Sequence, residues 1–274
     1  MTEPFRAAVV QMTSGIDVQA NLQTASRWVE AAARDGAKLI ALPELFSGLG
    51  EAEKMVAQAE SIPGRTSNTM AALAARLGVL LLAGSMAERD PGTGQTFNTS
   101  LLFSAEGKLL ARYRKIHLFD IELAGRVSFQ ESRWFAAGDE VVTVATELGR
   151  LGLATCYDLR FPELFRRLAD EAADVILVPS AFTLATGRDH WEVLLRARAI
   201  ENQVYVVAPN QYGRHTPLMI SYGRSMLVDP WGTVLATCPD GEGMAEARID
   251  PQHAARIRRQ LPALAHRRLR AAAG

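Results

Sequence analysis

Residues 151–163 read Leu-Gly-Leu-Ala-Thr-Cys-Tyr-Asp-Leu-Arg-Phe-Pro-Glu, and the fold depends on the turn within this stretch. Residues 151–155 form a short apolar run that predicts a buried strand. A helix is predicted to begin at Pro162, since proline is favoured in the first helical turn. Cys156 therefore lies where a strand turns toward a helix. A lone cysteine at such a place is more often a small buried hydrophobe than a reactive group.

The alternation of strands and helices continues on both sides of this turn. Further strands are predicted at residues 6–10, 39–42, 79–83, 175–178, 204–208 and 245–249, and helices at residues 18–34, 66–77 and 189–202 and from Pro251. Turn residues at 105–107 and 229–232 predict two hairpins. Interleaved elements of this kind predict an α/β protein whose mixed sheets are covered by helices. We expect a single domain over residues 1–274.

The composition excludes several classes of protein. Apolar residues make up 48% of the 274 residues, and 30 basic residues balance 30 acidic ones, so the chain does not favour nucleic acid as a partner. Two cysteines and five histidines show no disulfide framework and no metal-ligand spacing. No apolar run is long enough to span a membrane, and the N-terminal residues do not resemble a signal peptide. We therefore expect a cytoplasmic protein without membrane contact.

Two charged residues also follow predicted strands. Glu44 comes after the strand at residues 39–42, and Lys115 after the strand at residues 109–113. Alone, each would be an ordinary surface residue. Ligand sites in α/β sheets lie beyond the carboxyl ends of strands, which is where Glu44, Lys115 and Cys156 are all expected. A carboxylate can take the proton of a thiol, and an ammonium favours the thiolate and a developing oxyanion.

The three motifs at residues 42–46, 113–120 and 155–163 resemble, in this order, the Glu–Lys–Cys triad of the nitrilase (carbon–nitrogen hydrolase) superfamily. The similarity extends from residues 7–12 to 261–262 and includes residues 190–202 and 229–232. It implies a four-layer αββα sandwich of two mixed sheets packed face to face. It also implies a hydrolase without a cofactor that forms homo-oligomers, often dimers.

The resemblance assigns the catalytic roles. Cys156 would attack the amide carbon and form a thioester, while Glu44 would move the protons. Lys115 and the backbone N–H of Tyr157 would hold the oxyanion. Glu131, in the segment Phe-Gln-Glu-Ser at residues 129–132, is expected to orient Lys115 or the substrate; the alternative is an acid on a surface loop.

Substrate-binding residues are expected near the triad. Arg160 suits a substrate carboxylate, and a structural ion pair with Asp158 or Glu163 is the alternative. Thr186 belongs to an expected pocket loop at residues 185–187. His190 follows this loop and could contact the substrate; the alternative is an ordinary histidine at the start of a helix. Cys238 matches no catalytic motif. Arg214, His215 and Arg224 are candidates for further basic groups at the mouth of the pocket.

The segments most resemble those branches of the family that hydrolyse amides of α-keto acids. We expect deaminated glutathione as the substrate, with α-ketoglutaramate, another small amide or an N-carbamoyl compound as alternatives. Arg224 departs from the first branch, in which a histidine is more common. Two hypotheses of other classes remain: an inactive scaffold of the same fold, and a redox-sensing thiol protein that would need Cys238 as its second thiol.

Overall fold

The computed structural model describes residues 3–123 and 127–269, so the ends of the expected domain over residues 1–274 lie outside the described residues. The strands are β1 (Phe5–Gln11), β2 (Leu39–Ala41), β3 (Leu80–Arg89), β4 (Thr96–Phe103), β5 (Leu109–Arg114), β6 (Asp120–Leu123), β7 (Val127–Gln130), β8 (Thr143–Thr146), β9 (Gly149–Leu153), β10 (Val175–Leu177), β11 (Tyr205–Ala208), β12 (Tyr212–Arg214), β13 (Ile220–Tyr222), β14 (Met226–Val228), β15 (Val234–Thr237) and β16 (Gly243–Ile249). The helices are α1 (Val18–Arg34), α2 (Ala52–Ala57), α3 (Arg65–Leu77), α4 (Pro162–Asp170), α5 (Leu184–Asn202) and α6 (Pro251–Gln260). Short 3-10 helices cover Glu131–Arg133 and Cys156–Arg160.

Two six-stranded mixed sheets share one pattern of strand directions. The first has the order β16-β1-β2-β3-β4-β5, in which only β1, β2 and β3 are parallel neighbours. The second has the order β8-β9-β10-β11-β14-β15, in which only β9, β10 and β11 are parallel neighbours. The central strands of both sheets therefore direct their carboxyl ends to an edge where ligand sites are built.

Alternating side chains of the central strands divide the core into layers. Ala7 and Val9 of β1 belong to the core that includes the second sheet, whereas Ala8 and Val10 pack with α1 and α3. Successive side chains of a strand point to opposite faces, so one face of the first sheet meets the second sheet and the other meets helices. Helices α4 and α5 contribute Leu164, Phe165 and Trp191 to the other outer layer. The expected arrangement of two mixed sheets between helices is confirmed.

The observed bounds of the helices can be compared with those predicted from local sequence signals. Helix α1 has the predicted bounds because the Asp17 side chain accepts a hydrogen bond from the Ala20 N–H at its start. Helix α5 begins five residues earlier than predicted, so residues 185–187 are helical and not a loop. The loop was predicted from Gly187. In the helix this position must be glycine, because the Cβ atom of any other residue would lie 2.4 Å from Tyr222 Cβ. Helix α2 and the β6–β7 and β12–β13 hairpins were not predicted.

No helix in residues 3–123 and 127–269 is long and apolar enough to cross a membrane.

Candidate active site

Cys156 follows β9 in a strained turn. Its φ angle of 48° lies in the left-handed region, which a residue with a side chain adopts only when the surroundings enforce it. Its backbone N–H donates to the Pro179 carbonyl at 3.0 Å, which ties the turn to the chain beyond β10. The first N–H groups of a helix lack partners within the helix, and the Tyr157 N–H has no acceptor among the described residues.

Asp158 joins the turn of Cys156 to the segment that carries Lys115. Its fully buried carboxylate accepts hydrogen bonds from the Thr155 N–H at 2.8 Å, the Tyr113 hydroxyl at 2.6 Å and the His117 N–H at 3.0 Å. Burial and the charge of Asp158 raise the pKa of Tyr113 well above its usual value, so its hydroxyl remains a donor. Tyr113 and His117 lie two residues before and after Lys115. The carboxylate therefore fixes the cysteine and the lysine relative to each other.

Glu44 follows β2 at a point where the backbone of Pro43 passes close to that of Gly84 in β3. A Cβ atom at Gly84 would lie 1.9 Å from the Pro43 carbonyl oxygen, so only glycine allows β3 to pass there. The Glu44 carboxylate is 3% exposed and accepts three hydrogen bonds. Oε1 accepts from Lys115 Nζ at 3.0 Å and from Asn98 Nδ2 at 2.8 Å, and Oε2 from the Ala181 N–H at 2.7 Å. The carboxylate is therefore held in one orientation.

Lys115 lies between two carboxylates. Its Nζ is 3.0 Å from Glu44 Oε1 and 2.8 Å from Glu131 Oε2, and all three side chains are buried. Glu131 also accepts from the Phe119 N–H at 2.7 Å and from Asn98 Nδ2 at 3.1 Å. The Asn98 amide thus connects both carboxylates, while its own buried Oδ1 has no hydrogen-bond partner among the described residues. We call Glu44, Lys115, Glu131 and Cys156 the cavity floor.

The charges of the cavity floor set the protonation of its members. Burial alone would lower the pKa of Lys115, but the neighbouring Glu131 and Glu44 carboxylates outweigh it and raise that pKa well above its usual value. Burial and the charge of Glu44 raise the pKa of Cys156, while Lys115 opposes this shift. The resting group is therefore a neutral thiol beside a carboxylate that can accept its proton.

A cavity of about 1130 Å³ opens above the floor. One wall is polar and carries Arg160, Thr186, Arg188 and Asp189 together with the ring of Tyr157. The Arg160 guanidinium lies 5.2 Å from the Phe182 ring centre and 5.8 Å from that of Tyr157. Among the described residues, no carboxylate oxygen lies within 4.0 Å of a guanidinium nitrogen of Arg160 or Arg188. Both cations are available to an anion.

A second wall is apolar, and it meets the first where the Phe119 ring lies edge-on to the Tyr157 ring, with ring centres 5.0 Å apart. It includes part of a separate hydrophobic cluster between α2, β7 and the chain after Glu131. We call this wall the apolar lobe, and it consists of Leu45, Leu49, Ala52, Met55, Phe119, Phe129 and Phe135. A substrate in the cavity would therefore meet two guanidinium groups and the Asp189 carboxylate at the polar wall, and hydrocarbon at the apolar lobe.

The structure brings most of the predicted site residues together. Glu44, Lys115, Glu131, Cys156, Tyr157, Arg160 and Thr186 all line the cavity. His190 does not line it. Its Nδ1 lies 3.2 Å from Arg160 Nη1, and the side chain is exposed. The alternative that Arg160 forms an ion pair with Asp158 or Glu163 is wrong, because Asp158 is occupied within the turn and no such pair forms.

The three basic residues suggested for the mouth lie elsewhere, so that interpretation is wrong. His215 uses both ring nitrogens within the fold, toward the Ser14 carbonyl at 2.8 Å and the Ser221 hydroxyl at 3.0 Å, and burial lowers its pKa. Arg224 pairs with Asp240 at 2.9 Å, and Arg214 donates to the Pro217 carbonyl at 2.7 Å. Besides Lys115 and Arg160, the basic residue that lines the cavity is Arg188, which the sequence analysis did not name.

The sequence analysis did not predict three features of the site, which are Asn98, Arg188 and the apolar lobe. Asn98 lies in β4, where every residue is buried, and an amide in such a strand is the one signal in the sequence that could have identified it. The lobe is built from segments more than 60 residues apart, so no local pattern reveals it. Among the described residues, no group of three or more histidine, cysteine, aspartate or glutamate side chains could hold a metal ion.

Comparison with known proteins agrees with this geometry. The model of the carbon–nitrogen hydrolase family matches residues 6–259. Deaminated glutathione amidase of Synechocystis sp. is 42% identical over 268 residues, which cover 97% of this chain and 98% of that protein. Omega-amidase NIT2 of Homo sapiens is 38% identical over 264 residues, which cover 96% and 95%.

The fold is also similar to solved structures. Nit3 of Saccharomyces cerevisiae, described as a member of branch 10 of the nitrilase superfamily, superimposes with a TM-score of 0.89 at 32% identity. The superposition covers 97% of this chain and 97% of that one. The two mixed sheets and their covering helices are therefore the architecture of that superfamily.

Proposed function

This chain belongs to the carbon–nitrogen hydrolase family, and on that premise we propose that it hydrolyses the amide of an α-keto acid through a thioester on Cys156. The observation that carries the proposal is the cavity floor, in which a buried thiol, a carboxylate and an ammonium meet below an unpaired arginine. The cysteine supplies the nucleophile, and Arg160 supplies a partner for the keto-acid carboxylate.

The cavity floor supports a complete sequence of proton transfers. Glu44 takes the proton of the Cys156 thiol as sulfur attacks the amide carbon, and it delivers that proton to the leaving nitrogen as the C–N bond breaks. Glu44 then takes a proton from water, whose oxygen attacks the thioester. The C–S bond breaks, an acid is released, and Glu44 returns the proton to sulfur. Each turnover consumes one water molecule.

The oxyanion that forms in both steps needs positive partners. Lys115 Nζ and the free N–H of Tyr157 flank the sulfur and fill this role in the proposal. Glu131, whose Oε2 lies 2.8 Å from Lys115 Nζ, holds the ammonium in place together with Glu44. His190, which lies against the Arg160 guanidinium, acts as a positioning residue for that arginine. Thr186 offers a hydroxyl to the substrate from the first turn of α5.

We propose deaminated glutathione as the substrate. The polar wall of the cavity supports this choice because it holds two guanidinium groups without carboxylate partners, on Arg160 and Arg188. Deaminated glutathione carries a carboxylate at each end, and the second would meet Arg188. The similarity to a deaminated glutathione amidase over nearly the whole chain agrees with it. The second candidate is α-ketoglutaramate, which has a single carboxylate for Arg160 and is favoured by the likeness to an omega-amidase.

Side-by-side kinetics test the proposal. We expect kcat/KM for deaminated glutathione to exceed that for α-ketoglutaramate by about tenfold or more, which is about 1.4 kcal/mol in transition-state binding. Arg188→Gln should remove most of this preference without changing hydrolysis of α-ketoglutaramate. A preference for α-ketoglutaramate would reverse the ranking of the two substrates. Absence of turnover with both would contradict the proposed reaction and favour an inactive scaffold.

We also propose that the chain forms a homo-oligomer. Val193 and Ile200 lie two turns apart on α5 and are 65% and 49% exposed, and Ile200 packs against Gly232 beside the 61% exposed Trp231. Clustered exposed hydrophobic side chains are typical of subunit interfaces. Light scattering after size-exclusion chromatography should give a multiple of the chain mass. A single-chain mass at micromolar concentration would contradict the proposal.

A further inference from the structure

We propose that the site also hydrolyses α-keto acid amides whose leaving amine carries a bulky apolar group, such as deaminated glutathione with an apolar substituent on its sulfur. The inference rests on the proposed function. It assigns the apolar lobe to the amine half of the substrate, while the polar wall takes the keto-acid half. The leaving product would then be an S-substituted cysteinylglycine.

The position of the general acid determines which half of the substrate enters the lobe. Glu44 must reach the leaving nitrogen to protonate it, so the amine departs on the side of Glu44. The chain continues from Glu44 directly into Leu45, Leu49 and helix α2, and all of these line the cavity. Arg160 follows Cys156 by four residues, and its guanidinium lies against the rings of Tyr157 and Phe182, neither of which belongs to the lobe. The amine half therefore points into hydrocarbon.

Aromatic side chains complete this half of the cavity. Phe119 and Phe129 are half-buried, and their ring centres lie 6.4 Å apart at an interplanar angle of 36°. Phe129 packs in one hydrophobic cluster with buried Phe135 and Met55, and Phe119 adjoins this cluster through Phe129. Apolar groups gain free energy when they leave water for such a surface. An unsubstituted cysteine side chain covers little of this surface, whereas an S-benzyl group covers much more.

Leu218 presents a further apolar surface at the mouth. It lines the cavity and is 92% exposed, although it lies in a turn held by hydrogen bonds. The His215 N–H donates to the Met219 carbonyl at 2.9 Å, and the Met219 N–H donates to the Thr216 hydroxyl at 3.0 Å. A leucine fixed in this way above an open cavity has its hydrocarbon exposed until an apolar ligand covers it.

The charged residues that line the cavity determine where the sulfur substituent and the terminal carboxylate bind. The charged residues that edge the lobe, Glu51 and Glu122, are acidic and exposed, so an anionic group is disfavoured there. On the polar wall the two guanidinium groups of Arg160 and Arg188 outnumber the single carboxylate of Asp189, so Arg188 can take the terminal carboxylate. The neutral substituent is then the part that enters the lobe. The reaction is the same hydrolysis: the C–N bond breaks, one water is consumed, and the thioether is unchanged.

Two substrates and two matched variants test the inference. We expect kcat/KM for S-benzyl deaminated glutathione to exceed that for the unsubstituted compound by about tenfold, or about 1.4 kcal/mol. Leu218→Ser should reduce this preference by about threefold while kcat/KM for the unsubstituted compound stays within about twofold. Leu269→Ser is the control, since Leu269 is 91% exposed and does not line the cavity.

The outcomes separate this inference from the proposed function. If the unsubstituted compound is hydrolysed and the S-benzyl compound is not preferred, the lobe does not bind the amine half and the inference is wrong. If the preference exists but Leu269→Ser reduces it as much as Leu218→Ser does, the role assigned to the mouth is wrong. If neither compound is hydrolysed, the proposed function itself fails.

Discussion

The cavity floor and the cavity rim are held in place by different means. At the floor, Glu44, Lys115 and Glu131 are each at most 4% exposed, and each forms at least two charged or hydrogen-bonded contacts. At the rim, which we define as Arg160, Arg188 and Leu218, side chains are exposed or half-exposed. The Arg160 guanidinium lies beside the Tyr157 and Phe182 rings and 3.2 Å from His190 Nδ1, and Leu218 is almost entirely in solvent.

Under the proposed function, we infer from this difference that the floor carries the reaction and the rim the choice of substrate. A buried charge without its partner is costly, so the floor tolerates few substitutions. The rim residues contribute little to the fold, since exposed side chains outside a network change stability only slightly. We expect floor variants to lose the reaction regardless of substrate. Rim variants should change the ranking of substrates and leave the reaction intact.

The largest effect is expected from the nucleophile. Cys156→Ala and Cys156→Ser should each lower kcat by on the order of 10³-fold or more, because no thioester can form. The variants should remain folded, with an unchanged far-UV circular dichroism spectrum and a similar unfolding midpoint. Activity above about a tenth of wild type in a purified variant would show that Cys156 is not the nucleophile.

Loss of the ammonium should affect both the reaction and the fold. Lys115→Met leaves the Glu44 and Glu131 carboxylates buried without their cation, so we expect a loss of stability of about 3 kcal/mol or more in urea unfolding. The kcat should fall about as far as in Cys156→Ala, and the double variant should be no less active than the single ones, since the groups act as a unit. Lys108→Met, at an exposed lysine on the β4–β5 turn, is the control. A normal kcat in Lys115→Met would exclude the oxyanion role.

An intermediate effect is expected at the rim. Arg160→Lys keeps the charge but loses the planar pair of donors that matches a carboxylate. We expect KM for deaminated glutathione and for α-ketoglutaramate to rise by about tenfold, with hydrolysis of a neutral amide changed far less. Steady-state kinetics with the three substrates measures this. Equal losses for charged and neutral substrates would indicate that Arg160 has a structural role.

The smallest effect is expected at Cys238, which is buried away from the cavity. Cys238→Ser should keep kcat/KM within about twofold at neutral pH. Burial raises the pKa of Cys238 from 9.0 to about 12, so the folded state holds its proton where the unfolded state loses it. This contribution to stability is fully present below pH 9 and is lost as the pH rises from 9 toward 12. Urea unfolding should therefore show wild type losing stability relative to Cys238→Ser between pH 8 and pH 11. Parallel curves would contradict the raised pKa.

Local chemistry allowed the sequence to predict much of this site. Each of Glu44, Lys115 and Cys156 follows a strand, and the sheet brings such positions to one edge. Helix α1 has its predicted bounds because a capping residue and an apolar period act within a few residues of each other. The start of α5 was predicted too late because Gly187 indicates a loop by its type, while its packing on Tyr222 is a tertiary contact.

The sequence alone determined the alternation of strands and helices, the chemical groups of the triad and their resemblance to one family. The tertiary structure decided the orientation of those groups and the surfaces that face the substrate. Asn98, Glu131 and Ala181 hold Glu44 and Lys115 from separate parts of the chain, and Arg188 lines the cavity where Arg214, His215 and Arg224 do not. The physical reason is the separation along the chain over which each interaction acts. Capping and periodicity act between near neighbours along the chain, whereas the partners of a buried charge and the wall of a cavity are set by residues that meet only after the sheets have packed.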